Sequence, residues 1–169
     1  MGGFGSGFRS SGRRKTTEES LTLPIEAIRE RIHPYASGRL SWTTANEVKH
    51  SVGFSVEWPQ RVPLLVLTYT PLANGERVRL PVSFLTSQTA FGGVRWWFQC
   101  PLNSIGSGCN GRVARLYLPP KARLFGCRRC HRLSYRSSQT AHRDERLFIQ
   151  SGVPADLARQ YAAVLRNWQ

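Results

Sequence analysis

Apolar and polar positions alternate along much of residues 39–99. From Val48 to Val56 the alternation covers part of the run, and from Val78 to Phe84 it is strict. Between these two runs, Val62–Thr70 is almost continuously apolar and β-branched. A period of two is typical of strands that bury one face. The pattern therefore predicts a small antiparallel sheet.

Turn signals divide this region into separate strands. Asn74 and Gly75 lie between two strand-like runs, which predicts a hairpin. Pro63 and Pro81 predict strand starts, edges or bulges, because proline cannot donate to a ladder. The large aromatic residues of the region are expected in the core or at its rim, namely Trp42, Trp58, Tyr69, Trp96 and Trp97.

Two segments have the periodicity of helices. Ile25–Ile32 carries one apolar stripe after Pro24, which predicts a short helix that ends before Pro34 and packs on one face of the sheet. Residues 143–169 also turn helical, and the apolar positions of Ala155–Trp168 share one face. We expect that face to dock on the domain or on a partner.

The composition is typical of a folded chain. Hydrophobic residues make up 40% of 169 positions, which is enough for a core. The sequence has no apolar run of about 18 residues or more, so we expect no span of a membrane. The amino terminus also lacks the apolar run of a signal peptide. A cytoplasmic protein is expected.

The net charge narrows the class of partner. It is +14, and 24 residues are Lys or Arg, of which only Lys15, Lys49 and Lys121 are lysines. Arginine grips phosphate in a two-point fashion and stacks on bases. A polyanion is therefore the expected partner, and nucleic acid is favoured over a membrane surface because no basic amphipathic helix stands out.

Residues 1–15 are rich in glycine, serine and arginine and contain few residues that a core would bury. Such a segment is expected to be a flexible basic arm in the free protein. The alternatives are an arm that orders on nucleic acid and a tail that only improves solubility.

The candidate chemistry lies in the four cysteines, Cys100, Cys109, Cys127 and Cys130. In an intracellular protein such a group favours metal over disulfides. Zinc takes four thiolates in a tetrahedron, and Cys127-x2-Cys130 has the spacing of a knuckle that supplies two of them. The sequence therefore predicts a zinc ribbon.

The remainder of the ribbon is predicted from the spacing of its two cysteine pairs. Arg112–Leu118, a turn at Pro119-Pro120 and Lys121–Gly126 would form the hairpin between them. The first pair is unusual, because eight residues separate its cysteines, and they are polar enough to loop out. Asn110 and Gly111 follow the pair at a point where a knuckle often needs a left-handed backbone.

An alternative set of ligands stays open. His131 or His142 would then replace Cys100 as the fourth ligand. With four thiolates the coordination sphere is closed, so the zinc is expected to be structural, whereas a catalytic zinc would need an open position.

Basic residues concentrate around the cysteines. Residues 112–146 contain ten basic and two acidic residues. Arg128 and Arg129 lie inside the knuckle, so their side chains must face outward and would form a rigid phosphate clamp. Tyr117, Phe125 and Tyr135 would stack on bases or pack on the ribbon. The candidate nucleic-acid-binding residues are Arg9, Arg13, Arg14, Lys15, Arg112, Arg115, Lys121, Arg123, Arg128, Arg129, Arg132 and Arg136.

The predicted fold class is α+β, a small antiparallel β-sheet domain with a four-cysteine zinc ribbon and a C-terminal helix. The expected division places a flexible arm at 1–15 and a β-rich domain with a short helix at 16–95. The ribbon follows at 96–136, and a helical segment at 137–169.

Several motifs together resemble a family of uncharacterised bacterial zinc-ribbon proteins. They are the MGGFGSG start, Thr17-x-Glu19-Ser-Leu-Thr-Leu, Phe91-Gly-Gly, Arg95-x-Trp97-Phe-x-Cys100-Pro, Gly111-Arg-Val-Ala-x-Leu-Tyr-Leu and Phe125-x-Cys127-Arg-x-Cys130-His-x-Leu-x-Tyr135. The resemblance implies a bound metal and an association with phages, plasmids and other mobile elements. The family's usual first knuckle is a compact Cys-Pro-x-x-Cys-Gly, from which residues 101–108 depart.

Binding is therefore favoured over catalysis. We expect a DNA-binding accessory or regulatory protein of a mobile element or phage. The alternatives are an RNA-binding subunit and a protein-directed adaptor or inhibitor of a host nucleoprotein complex. No clustered carboxylates, His-rich metal motif or activated nucleophile stands out. The mixed cluster His142-Arg-Asp144-Glu145 is simply explained as a solvated helix start, so no enzyme is expected.

Overall fold

The computed structural model describes residues 14–43, 48–71, 75–102, 109 and 111–167, without the side chains of 139–143, 166 and 167. Several predictions concern positions outside this set: most of the amino-terminal arm with Arg9 and Arg13, the hairpin tip at Asn74, residues 103–108, Asn110, the side chain of His142, and Trp168.

The predicted antiparallel sheet is present and has six strands. The strands are β2 (Ser37–Thr43), β3 (Lys49–Glu57), β4 (Leu64–Tyr69), β5 (Val78–Gln88), β6 (Val94–Gln99) and β7 (Arg112–Val113). Their order in the sheet is the same as their order along the chain. In β5, Val78, Leu80, Val82 and Phe84 are buried and alternate with exposed positions, because successive side chains of a strand point to opposite faces.

Pro81 lies inside β5, opposite Val66 of β4. The pairing of β5 with β6 begins only at Phe84, so the other side of the strand is unpaired at Pro81. A missing N–H costs no ladder hydrogen bond at such a position. The prediction of an edge-like site is therefore confirmed, because β5 pairs with β4 only over 78–83 and with β6 only over 84–88.

A second, two-stranded sheet covers the core. It pairs β1 (Leu21–Pro24) antiparallel with β8 (Arg115–Leu118), placing Leu23 opposite Leu116. The hydrophobic core joins both sheets into one cluster, in which Leu65, Val82, Phe98, Leu116 and Phe125 are fully or almost fully buried.

The expected boundary at 95–96 falls inside β6, and buried residues from both sides of it share this core.

The predicted helix Ile25–Ile32 is wrong in form. The segment contains two 3-10 turns, Ile25–Ala27 and Arg29–Arg31, although Ile25 and Ile28 are buried as expected. The backbone N–H of Ile25 donates to the carbonyl of Ala114 at 2.8 Å, which ties the segment to the strands beside it. An eight-residue helix is marginal on its own, so tertiary contacts decide its local form.

The predicted hairpin of the ribbon is present only as one antiparallel bridge, between Tyr117 and Gly126. β8 pairs with β1 and not with a strand over 121–126, and the return segment keeps only the bridge between Tyr117 and Gly126. β8 ends directly before Pro119 and Pro120, which have no N–H to continue a ladder. The strand β1, far away in sequence, supplies the partner that the local segment cannot.

Two helices follow the cysteines, where the sequence predicts one C-terminal helix within a helical segment. They are α1 (Arg136–Gln150) and α2 (Ala155–Asn167), and they pack on each other through Ala158 and Ala162, among others. The backbone N–H of Arg136 donates to the carboxylate of Glu18 at 3.2 Å, which caps the start of α1. Partial burial raises the pKa of Glu18, but hydrogen bonds to its carboxylate outweigh this and lower the pKa overall.

The apolar face of α2 does not lie in the core. Its side chains are between 38% and 54% exposed, namely Leu157, Tyr161, Val164 and Leu165.

We expect Phe125→Ala to lower the free energy of unfolding by about 3–5 kcal/mol, because Phe125 is fully buried and packs edge-on against Tyr69. The matched control is Phe91→Ala, since Phe91 is fully exposed. Urea denaturation followed by circular dichroism measures both. Equal midpoints for the two variants would contradict a core that extends under the cysteines.

Candidate metal centre

The four cysteine sulfurs form one cluster. All four lie within 4.8 Å of one another, with separations of 3.9 Å between Cys100 and Cys130 and 3.7 Å between Cys109 and Cys127. In a tetrahedral zinc site with Zn–S bonds of about 2.3 Å, the sulfurs are about 3.8 Å apart. The donor set therefore fits a metal ion of this kind.

Two separate parts of the chain carry the ligands. Cys100 follows β6 directly, and its backbone N–H donates to the carbonyl of Gly111 at 3.1 Å, which holds both ends of the first cysteine pair together. The second pair, Cys127 and Cys130, lies in a turn that starts after the Tyr117–Gly126 bridge. The sheet fixes one pair and the bridge positions the other.

Backbone donors surround the sulfurs. The N–H of Cys127 donates to the sulfur of Cys100 at 3.3 Å, and the N–H of Cys130 donates to the sulfur of Cys127 at 3.4 Å. Such bonds stabilise the thiolate form that binds metal and orient the ligands.

Burial and sulfur neighbours affect the thiols in different ways. Burial raises the pKa of Cys100 and that of Cys130, whereas the backbone N–H of Gly111 lowers the pKa of Cys109. Four thiolates at these separations repel one another strongly unless a cation lies between them. The arrangement is chemically reasonable for a metal site.

Cys100 belongs to the cluster, which supports it over the histidines as the fourth ligand. Its side chain is 1% exposed. The cluster of potential ligand atoms in the described residues comprises the four sulfurs only. The Nε2 atom of His131 is buried without a hydrogen-bond partner among the described residues, and it lies beside Gly126.

Two glycines of the site, Gly111 and Gly126, are required for space and not for a left-handed backbone. The left-handed backbone expected at Asn110-Gly111 is not found at Gly111, and Asn110 lies outside the described residues. A Cβ at Gly111 would approach the sulfur of Cys109 to 3.3 Å. At Gly126 a Cβ would overlap Leu102 and lie 2.9 Å from His131 Nε2. Both glycines therefore make room for side chains at the site.

The structure brings part of the predicted basic set together. Arg14, Arg128, Arg129 and Arg132 line one open cleft of about 300 Å³ together with Leu133. The guanidinium of Arg128 lies 4.9 Å from the ring centre of Tyr135, which is partly exposed. Tyr135 therefore holds an arginine, and Tyr117 and Phe125 are buried, so packing is their observed role.

The other described members of the set lie apart from this cleft. Arg112 stacks on Trp97, Arg123 pairs with Glu76 at 3.0 Å, and Lys121 lines a second and larger cleft. Lys15 donates to the carbonyl of Pro120, and Arg115 and Arg136 are exposed.

Sequence reasoning missed one cationic position next to the site. The guanidinium of Arg95 lies 4.2 Å from the ring centre of Trp97, and that of Arg112 lies 4.9 Å from the same centre. The spacing of two between Arg95 and Trp97 in a strand placed them on one face, and this signal was available in the sequence.

No family model, curated protein or solved structure matches this chain. Among the described residues, no helix has both the length and the apolar character needed to cross a membrane.

We expect the purified protein to carry one tetrahedrally coordinated metal ion per chain. Cys100→Ser should lose it together with several kcal/mol of stability, because the binding free energy of a structural metal is part of the folding free energy. His131→Gln should keep it. Elemental analysis of the purified variants measures both results.

Cys130→Ser, at a more exposed ligand, provides a second variant for the same test. Metal retained in full by both serine variants, or lost from His131→Gln, would contradict the four-cysteine assignment.

Proposed function

We propose that this chain binds nucleic acid through arginines that a structural zinc ion holds in place. The observation that carries the proposal is the convergence of Arg14, Arg128, Arg129 and Arg132 on one cleft. Guanidinium groups that converge in this way attract phosphate. A backbone of phosphates is the partner that offers many such groups in a row.

The backbone around the metal centre supports this assignment. The N–H of His131 donates to the carbonyl of Cys127, and that of Leu133 donates to the carbonyl of Arg128 at 3.0 Å. These bonds close the turn that carries Arg128 and Arg129, while both side chains remain exposed. A turn closed in this way presents its cations at little further cost in conformational entropy on binding.

The start of the chain is attached to the same turn. Thr16 bridges to Ser134 in parallel, and the N–H of Thr17 donates to the carbonyl of Ser134 at 3.0 Å. This anchor places Arg14 at the cleft and makes the amino-terminal segment continue from that point. Arm and knuckle would then contact one nucleic acid together.

The finer parts of the proposal follow from the charge and the motifs. We propose DNA over RNA, in an accessory or regulatory role for a mobile element or phage, which the family resemblance of the cysteine motifs suggests. Binding and not catalysis is proposed, because a thiolate-saturated metal leaves no position for water or substrate.

A second candidate function is supported by the exposed helices. Leu147, Ile149, Leu157, Tyr161, Val164 and Leu165 are between 38% and 54% exposed on α1 and α2. A group of exposed apolar side chains is typical of a surface that binds protein. A protein-directed adaptor within a nucleoprotein complex would use this surface.

The arginine clamp predicts a specific salt dependence. Replacing Arg128 and Arg129 together with alanine should weaken binding to a DNA duplex roughly tenfold or more and make the slope of log K against log salt shallower by about 2, because two phosphate contacts are lost. Fluorescence anisotropy over a range of salt concentrations measures both quantities. The metal content should not change.

The matched control is Arg29→Ala combined with Arg146→Ala, which removes the same charge at exposed positions outside the cleft. An equal loss in the control would mean that only total charge matters, and would contradict a localised clamp.

The two candidate functions are separable in one experiment. We expect Leu157→Ser with Val164→Ser to leave DNA affinity within about twofold, because neither side chain lies in a basic cleft. A large loss of DNA affinity would mean that the helices are part of the nucleic-acid surface. That result would contradict the proposal that they bind a protein.

A further inference from the structure

β3 pairs with β4 along only part of its length. β3 pairs with β2 from Lys49 to Ser55, but it pairs with β4 only from Gly53 onward. The last pair in this direction joins Gly53 to Thr68. β4 ends one residue later, at Tyr69, whereas β3 continues in this direction to Lys49 and keeps only β2 as its partner. The space beside the unpaired edge of β3 over 49–52 is called the fork below.

A cleft of about 580 Å³ occupies this fork. Ser51, Val52 and Gly53 line one side, and Thr68–Pro71 lines the other. The loop Leu118–Ala122, which follows β8, closes the third side. The volume lies within the range of roughly 300–1,000 Å³ that is typical of sites for small molecules.

The lining of this cleft combines apolar surface with positive charge. Leu21, Val52, Leu118 and Pro119 contribute apolar surface, and four cationic residues of the lining are exposed, namely Arg39, Lys49, Arg77 and Lys121. Among the described residues of the lining, Glu19 is the one carboxylate. An apolar interior with a cationic rim fits a ligand that has a flat ring and a phosphate.

Lys121 lies in a turn in the wall of the cleft. The N–H of Ala122 donates to the carbonyl of Pro119 at 3.0 Å, and Lys121, the third residue of this turn, has a φ of 66°, in the left-handed region. The turn therefore holds Lys121 at the edge of the cleft with its side chain exposed.

We infer that the fork receives one unpaired nucleotide, with its base between β3 and β4 and its phosphates on the cationic rim. Strand backbone that no longer pairs across the fork offers N–H and C=O groups, which read the edges of an unstacked base. A base inside a duplex is stacked and paired, and it cannot enter such a cleft. The inference deepens the proposed nucleic-acid binding by naming a single-stranded segment as part of the ligand.

One hydrogen bond links the segments that carry the two clefts, which supports a continuous path. Lys15 donates a hydrogen bond to the carbonyl of Pro120. Lys15 follows Arg14 of the arginine cleft, and Pro120 lies in the wall of the fork cleft. A strand held at the metal-supported turn would reach the fork by passing this contact.

The test compares two polymers of equal length, a blunt duplex and a single strand. Arg39→Ala with Arg77→Ala should weaken single-strand binding by about tenfold, because the phosphate contacts that keep the base in the fork are lost. It should leave duplex binding within about twofold of the control Arg29→Ala with Arg146→Ala. Lys121→Gly, which removes a cation and is compatible with the left-handed backbone, should also weaken the single strand selectively.

The outcomes separate this inference from the proposed function. If the wild type binds neither polymer, the proposed function fails. If it binds both and the fork variants weaken both equally, or weaken neither, the proposed function stands and the inference is overturned. Selective loss of the single strand supports the inference.

A free mononucleotide tests the cleft without a polymer. Titration of adenosine monophosphate into the isotope-labelled full chain should shift the amide resonances of Ser51, Gly53 and Thr70, while adenosine alone or inorganic phosphate alone should shift them less. No response of these amides up to millimolar nucleotide would overturn the assignment of the base to the fork. Response to phosphate equal to that of the nucleotide would do the same.

Discussion

The convergence of four sulfur atoms is the constraint on which the segment from Cys100 to Cys130 depends. Cys100 and Cys109 lie between β6 and β7, the last two strands of the large sheet, whereas Cys127 and Cys130 follow a segment that has almost no ladder of its own. Thiolates at 3.7–3.9 Å need a cation to offset their repulsion. A bound metal would therefore fix the turn that carries Cys127 and Cys130. Without a metal, backbone hydrogen bonds hold this turn at few points.

The chain enters the hydrophobic core immediately before the second cysteine pair. Phe125, two residues before Cys127, is fully buried, and its N–H donates to the hydroxyl of Tyr69 at 3.3 Å. That hydroxyl donates to the carbonyl of Arg123 at 3.0 Å, and burial raises the pKa of Tyr69 to about 12. The sheet and the metal segment are thus joined by packing and by hydrogen bonds, so a change in either is expected to affect the other.

Several arginine side chains of this protein are already held in position by aromatic rings or by a closed turn. Arg128 is held on Tyr135, Arg95 and Arg112 on Trp97, and Arg132 by the closed turn of the cysteines. Stacking on an aromatic ring positions a guanidinium while leaving its donors available. Under the proposed function, a surface built in this way would meet phosphates with part of its ordering already accomplished, which favours affinity.

The sequence by itself determined the features that depend on local pattern. The alternation in Val78–Phe84 predicted its buried face, and the cysteine spacing predicted the sulfur cluster, because period and ligand geometry are short-range properties. Only the tertiary structure decided that β8 pairs with β1, that Ile25–Ile32 forms 3-10 turns, and that β3 continues past the end of β4 beside the fork. These features depend on which distant backbone supplies a partner, and no local pattern of side chains encodes that choice.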